Sequence, residues 1–186
     1  DGVEWMIDNG HAQQGSICIM GRGYAGYAAL MGVAKEGELF SCAISRDAPT
    51  DIPAMLRTAR LRNNNDDTYS EVAGDLGKDE LESISPASLI SGIKTPILLY
   101  HREDAFYDVQ YTRKFAKSLD KAKKTFDYVE VEGAEGENVY DANEDDLQFL
   151  SAVEAWLLKV NPTPLMQAAQ KAGKVSAMPK TTQRRS

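Results

Sequence analysis

Apolar positions recur along this chain with two periods, and the two take turns. Val3, Met6 and Ile7 stand at helical spacing with Trp5 beside them, which predicts a short helix over residues 3–9. Ser16–Met20 is an apolar run of strand length, and Tyr27–Lys35 reads as a helix that stops near Gly37. Leu39–Ser45 is a second strand. A long excursion over residues 47–92 holds a helix at Ile52–Leu61, a polar run from Asn63 to Asp67 and a second helix near Asp79–Ile84. Pro96–Tyr100 is apolar throughout, as expected of a strand covered on both faces. Val109–Leu119 is a helix, and Thr125–Val131 alternates like a strand nearer a sheet edge. Asp145–Val160, with Leu147, Phe149, Leu150, Val153, Trp156 and Leu157, is the last helix. Strands alternating with helices predict an α/β fold of about four parallel strands flanked by helices. Ser16–Met20 is expected at one side of that sheet, next to Leu39–Ser45.

Charge divides the chain into residues 1–160, one folded domain, and residues 161–186, a flexible basic tail. From Pro162 onward there are five Lys or Arg and no acid, within a chain of net charge −7. Leu165–Ala172 has the pattern of a short helix in that tail. The acidic balance argues against a nucleic-acid partner, and no apolar run approaches the ~20 residues that span a bilayer. No signal peptide is visible at Asp1-Gly2-Val3-Glu4. A soluble chain is expected, in the cytoplasm rather than secreted. Cys18 and Cys42 both lie in apolar strand-like runs and read as buried free thiols. Two cysteines make neither a disulfide framework nor a metal site.

The chemistry centres on Gly21-Arg22-Gly23-Tyr24-Ala25-Gly26, a tight turn between the first strand and a small-residue helix. Strand, sharp turn and helix form the nucleophile elbow, G-x-S-x-G. At its middle position this chain has Gly23, which carries no side chain. The same turn spells a dinucleotide fingerprint, Gly21-x-Gly23-x-x-Gly26, with Asp47 placed as a ribose ligand. Bulky Arg22 and Tyr24 count against a pyrophosphate there. The free N–H groups of the helix start suit an anion more generally.

The ordered segments Trp5-Met6-Ile7, Ile17–Gly21, Tyr24–Met31, Leu39–Ser45, Asp51, Ser85-Pro86, Thr95–His101 and Gln110 resemble the C-terminal half of the catalytic domain of the prolyl oligopeptidase family. Acylaminoacyl-peptidase-like and dipeptidyl-peptidase-like members are the most similar, and the resemblance runs from residue 1 to about residue 158. It implies a partial α/β-hydrolase fold and a Ser, Asp, His triad in that chain order. The resemblance puts Gly23 at the serine, Ala105 at the aspartate and Gly136 at the histidine, so none of the three roles is filled. It makes the Tyr24 N–H part of an oxyanion hole. Asp104 and His101 are the possible substitutes; His11 lies in a loop before the first strand. No nucleophile and base pair emerges from these.

A catalytically degenerate relative of serine peptidases is therefore expected, acting by binding or assembly and needing no cofactor or metal. An active hydrolase with a complemented triad, and a dinucleotide- or anion-binding module at Gly21–Gly26, are the alternatives. The expected partner is a peptide or protein ligand. The first strand is expected to leave an open apolar edge, so the chain either pairs there with a missing N-terminal half of a longer protein or self-associates.

Overall fold

The computed structural model describes residues 2–63, 74–132, 142–162 and 172. The run Asn64–Asp67, Gly136 and nearly all of the tail, including the helix expected at Leu165–Ala172, lie outside the described residues. The order is α1 (Gly2–Asp8), β1 (Cys18–Arg22), α2 (Tyr24–Lys35), β2 (Cys42–Arg46), α3 (Ile52–Asn63), α4 (Lys78–Ser83), β3 (Ile97–Arg102), α5 (Val109–Lys121), β4 (Phe126–Val131) and α6 (Ala142–Val160). The four strands form one parallel sheet in the order β1-β2-β3-β4. This is the α/β arrangement that the two periodicities predict, with the first and fourth strands outermost among the described residues.

Side-chain alternation along the central strands sorts residues to the two faces of the sheet. Ala43, Ile97 and Leu99 pack with Leu30 and Val33 of α2 and Phe115 and Leu119 of α5. Ile44, Leu98 and Tyr100 point the other way, onto Phe149, Val153 and Trp156 of α6. Every residue of β2 and β3 is buried, because helices cover both faces. α5 starts at an N-cap, Asp108, whose carboxylate accepts from the Gln110 N–H at 2.9 Å. A smaller cluster of Ile52, Leu56 and Leu81 joins α3 to α4.

Two strands begin later than the apolar runs suggest. β1 starts at Cys18 rather than Ser16 and continues through Gly21 to Arg22. Leu39 closes a 3₁₀ turn, and β2 starts at Cys42. α2 begins at Tyr24, three residues before the reading from the pattern, because Gly23 alone turns the chain from strand to helix.

The expectation of two free thiols is wrong. Cys18 and Cys42 are joined in a disulfide. Each lies in an apolar run as read, but the parallel register sets them directly opposite one another on β1 and β2, with Cα atoms 4.6 Å apart. That separation is within bonding range. The sequence alone does not reveal register.

Candidate functional site

The carboxyl ends of the strands gather the residues singled out from the sequence. Gly23 sits between β1 and α2 with φ 58° and ψ −122°. A residue with a side chain adopts such a conformation at a cost of about 1–3 kcal/mol. It is the sharp strand-to-helix turn that presents an elbow nucleophile. The neighbouring glycines are required by contact. A Cβ on Gly21 would overlap the Ala25 carbonyl group, and one on Gly26 would stand 2.9 Å from Gly21 O and 3.0 Å from Ala48 Cβ. Strand and helix can therefore approach closely only with glycine at both places. The Gly23 N–H donates to Arg46 O at 2.8 Å, which fixes the apex to the end of β2. A Cβ on Gly23 itself would meet only Tyr107 Cε2, at 3.8 Å. The position has room for a side chain and has none.

Tyr24 is 73% exposed beside the turn, its ring 5.4 Å from that of Tyr27. Phe106, 91% exposed, stacks edge-on against Tyr107. The ring of Tyr107 faces the turn, its Cε2 3.8 Å from where a Cβ on Gly23 would stand.

That loop accounts for its own polar groups. His101 is fully buried, and both ring nitrogens are engaged. Nε2 lies 2.9 Å from Tyr107 O and Nδ1 2.8 Å from Thr112 Oγ1. A carbonyl can only accept, so Nε2 carries the proton and Nδ1 accepts from the threonine hydroxyl. Burial pushes the His101 pKa down, against the hydrogen bond to Tyr107 and the nearby carboxylates Asp47, Glu130 and Asp108. This is a neutral imidazole tying a strand end to a helix and a loop. Asp104 is turned toward Arg102, whose Nε and Nη2 donate to its two oxygens at 2.9 and 2.6 Å. The Ala105 N–H donates to Arg102 O at 3.2 Å. His11 stacks on Trp5, ring centroids 5.4 Å apart, in the segment before β1. The structure brings Gly21, Gly23, Gly26 and Tyr24 together at one turn. It holds His101 beneath the neighbouring loop and commits Asp104 to an arginine.

Asp47, placed from the sequence as a ribose ligand, faces inward. It is 5% exposed and has φ 51°. Oδ1 accepts from the Arg102 N–H at 2.9 Å, and Oδ2 lies 3.3 Å from Arg22 Nε and 3.5 Å from Arg46 Nε. The sequence reading missed Arg46, which ends β2 almost completely buried. Its guanidinium lies 4.7 Å from the Phe149 ring centroid and 5.7 Å from that of Tyr100 and pairs with Asp146 at 2.6 Å. The signal was available: two adjacent opposite charges, Arg46-Asp47, come directly after an uncharged run, Leu39–Ser45, of strand length. Among the described residues no group of three or more His, Cys, Asp or Glu is placed to hold a metal ion, and no helix is long and apolar enough to cross a membrane.

A parallel sheet whose first strand turns through a glycine-flanked elbow into a helix defines the α/β-hydrolase class. A sequence model of the prolyl oligopeptidase family matches residues 1–161. The chain belongs to that family. It is 29% identical over 104 residues to dipeptidyl aminopeptidase BIII of Pseudoxanthomonas mexicana, a match covering 53% of this chain and 15% of that protein. Its fold is similar to that of an acylaminoacyl peptidase solved in complex with Z-Gly-Gly-Phe-chloromethyl ketone, with TM-score 0.71, 19% identity, and coverage of 86% of this chain and 26% of the other. A Mycobacterium tuberculosis puromycin-hydrolyzing peptidase gives TM-score 0.72 at 18% identity, with coverage of 86% and 24%. The chain thus spans about a quarter or less of the length of these relatives.

Proposed function

We propose that this chain is a catalytically degenerate domain of the prolyl oligopeptidase family that acts by binding a peptide or protein. The observation that carries this reading is Gly23, an elbow apex with the strained backbone of a nucleophile position and no nucleophile. Ala105 and Gly136 stand where the family resemblance puts the aspartate and histidine. Asp104 and His101, the nearest substitutes, have their polar atoms engaged by Arg102, Tyr107 and Thr112. Covalent catalysis needs a nucleophile and a base in hydrogen-bond reach, and among the described residues around this turn the two candidate substitutes are engaged elsewhere. The exposed rings of Tyr24, in the turn, and Phe106, in the loop after β3, favour an apolar or aromatic segment as ligand. Among the described residues β1 pairs with β2 alone, which supports assembly through strand pairing, with a second copy or with another part of a longer protein. The disulfide between Cys18 and Cys42 favours an oxidising compartment over the cytoplasm expected from the sequence.

The test is a fluorophosphonate serine probe on the purified chain. No labelling is expected, and Gly23→Ser is expected to add little, since no base would activate the new hydroxyl. Stoichiometric labelling of any serine near the turn would instead favour an active hydrolase with a complemented triad.

A further inference from the structure

The disulfide lies at one side of the sheet. Among the described residues β1 pairs with β2 alone. Two attachments hold its ends. At the start, Cys18 is bonded to its register partner Cys42, and Asn161, just past the end of α6, donates from Nδ2 to Ser16 O at 2.9 Å and reaches Cys18 Sγ at 3.3 Å. At the finish, the Gly23 N–H donates to Arg46 O. Only the four residues Ile19–Arg22 lie between these clamps. A slip of one residue would exchange the two faces of the strand. It would also break the hydrogen bond from the Gly23 N–H to Arg46 O. The disulfide forbids that slip and so sets the register of the strand that delivers the elbow.

The two sulfurs differ in access. Cys42 is wholly buried, whereas Cys18 is half-buried at the edge. A thiolate arriving from solution reaches the Cys18 side. Its attack would bond it to Cys18 and expel Cys42 as a thiolate into the apolar core, where a charge is disfavoured. Exchange in the folded chain is therefore slow, and it becomes fast once the chain opens.

We infer that Cys18–Cys42 is a structural cross-link that locks the register of the elbow strand, formed in an oxidising compartment by exchange with a disulfide-bearing oxidant. In that exchange the two thiols of the chain lose two protons and two electrons. The oxidant's disulfide takes them up and becomes two thiols. The inference rests on the pairing of β1 with β2 and is independent of any ligand.

The experiment is thiol trapping on the 186-residue chain. After equilibration with oxidised glutathione, iodoacetamide followed by mass measurement is expected to find no alkylated cysteine. Dithiothreitol should reduce the native chain at least about tenfold more slowly than the chain in denaturant. Once reduced under native conditions, Cys18 should alkylate before Cys42. Amide exchange over residues 17–22 should then rise at least about tenfold. Two alkylated cysteines after treatment with oxidised glutathione would overturn the cross-link. Equal reduction rates in the folded and unfolded chain, or equal labelling of the two sulfurs, would overturn the burial argument. Unchanged exchange over residues 17–22 would overturn the lock on register.

Discussion

Two loops meet at the carboxyl end of this sheet, and they relate to their side chains in opposite ways. The turn Gly21–Gly26 is defined by side chains it lacks. Gly21 and Gly26 are bare because strand and helix touch there, and Gly23 is bare with space above it. The loop from His101 to Tyr107 has polar side chains engaged in its own support: His101 on Thr112 and Tyr107, Asp104 on Arg102. The first loop has the sharp strand-to-helix backbone of an elbow with glycine at its apex. The second has ionisable groups but applies them to holding the chain. Backbone geometry is enforced by packing and persists whether or not chemistry is performed. A side chain facing open space is under no such constraint.

The difference within the first loop gives the largest expected effect. Gly21→Ala forces a Cβ onto the Ala25 carbonyl and should cost roughly 4 kcal/mol or more, enough to abolish a cooperative transition in urea. Gly23→Ala meets only Tyr107 and bears a backbone penalty of about 1–3 kcal/mol. Equal losses in the two variants would mean that Gly23 is held by packing as well. Next comes the second loop. Asp104→Asn leaves the nearly buried Arg102 guanidinium without its carboxylate and should lower stability by about 1–2 kcal/mol in the same assay. No loss would show the pair to be ornamental and Asp104 available for another role.

The smallest and broadest effect is on pH dependence. The folded pKa of His101 is depressed by burial, so between the unfolded value near 6.5 and the folded one the unfolded chain binds more protons. Stability should therefore fall as pH drops from neutrality through that window. His101→Gln should flatten this decline. Further down, Glu130 is held to about 2, first by the hydrogen bond from Arg113. Its contribution is present above pH 4.5 and is lost as pH falls toward 2, which urea titrations should separate from the His101 window. A His101→Gln variant with an unaltered slope near pH 6 would mean that the imidazole is not neutral in the fold.

Much of this was readable from order along the chain. The apolar runs Ser16–Met20 and Pro96–Tyr100 and the helical pattern of Tyr27–Lys35 specified strands, a helix and a parallel sheet, because a strand buried on both faces leaves a continuous apolar run and a helix a longer periodic one. The tight turn at Gly23 was legible for the same kind of reason: a strand, turn and helix motif is local, and its glycines show as single letters. Register and partners were not legible. Cys18 and Cys42 are separated by 24 positions and become neighbours only through parallel pairing. Asp47 stands where a ribose ligand would stand in the sequence. It turns inward only because Arg22, Arg46 and the Arg102 N–H converge on it from three strands. His101 looked like a possible base until Thr112 and Tyr107 closed over both its nitrogens. Local pattern determines which segments are strand, turn or helix. What a polar side chain does there is decided by groups distant in the chain, since burying it requires partners that only the folded sheet assembles.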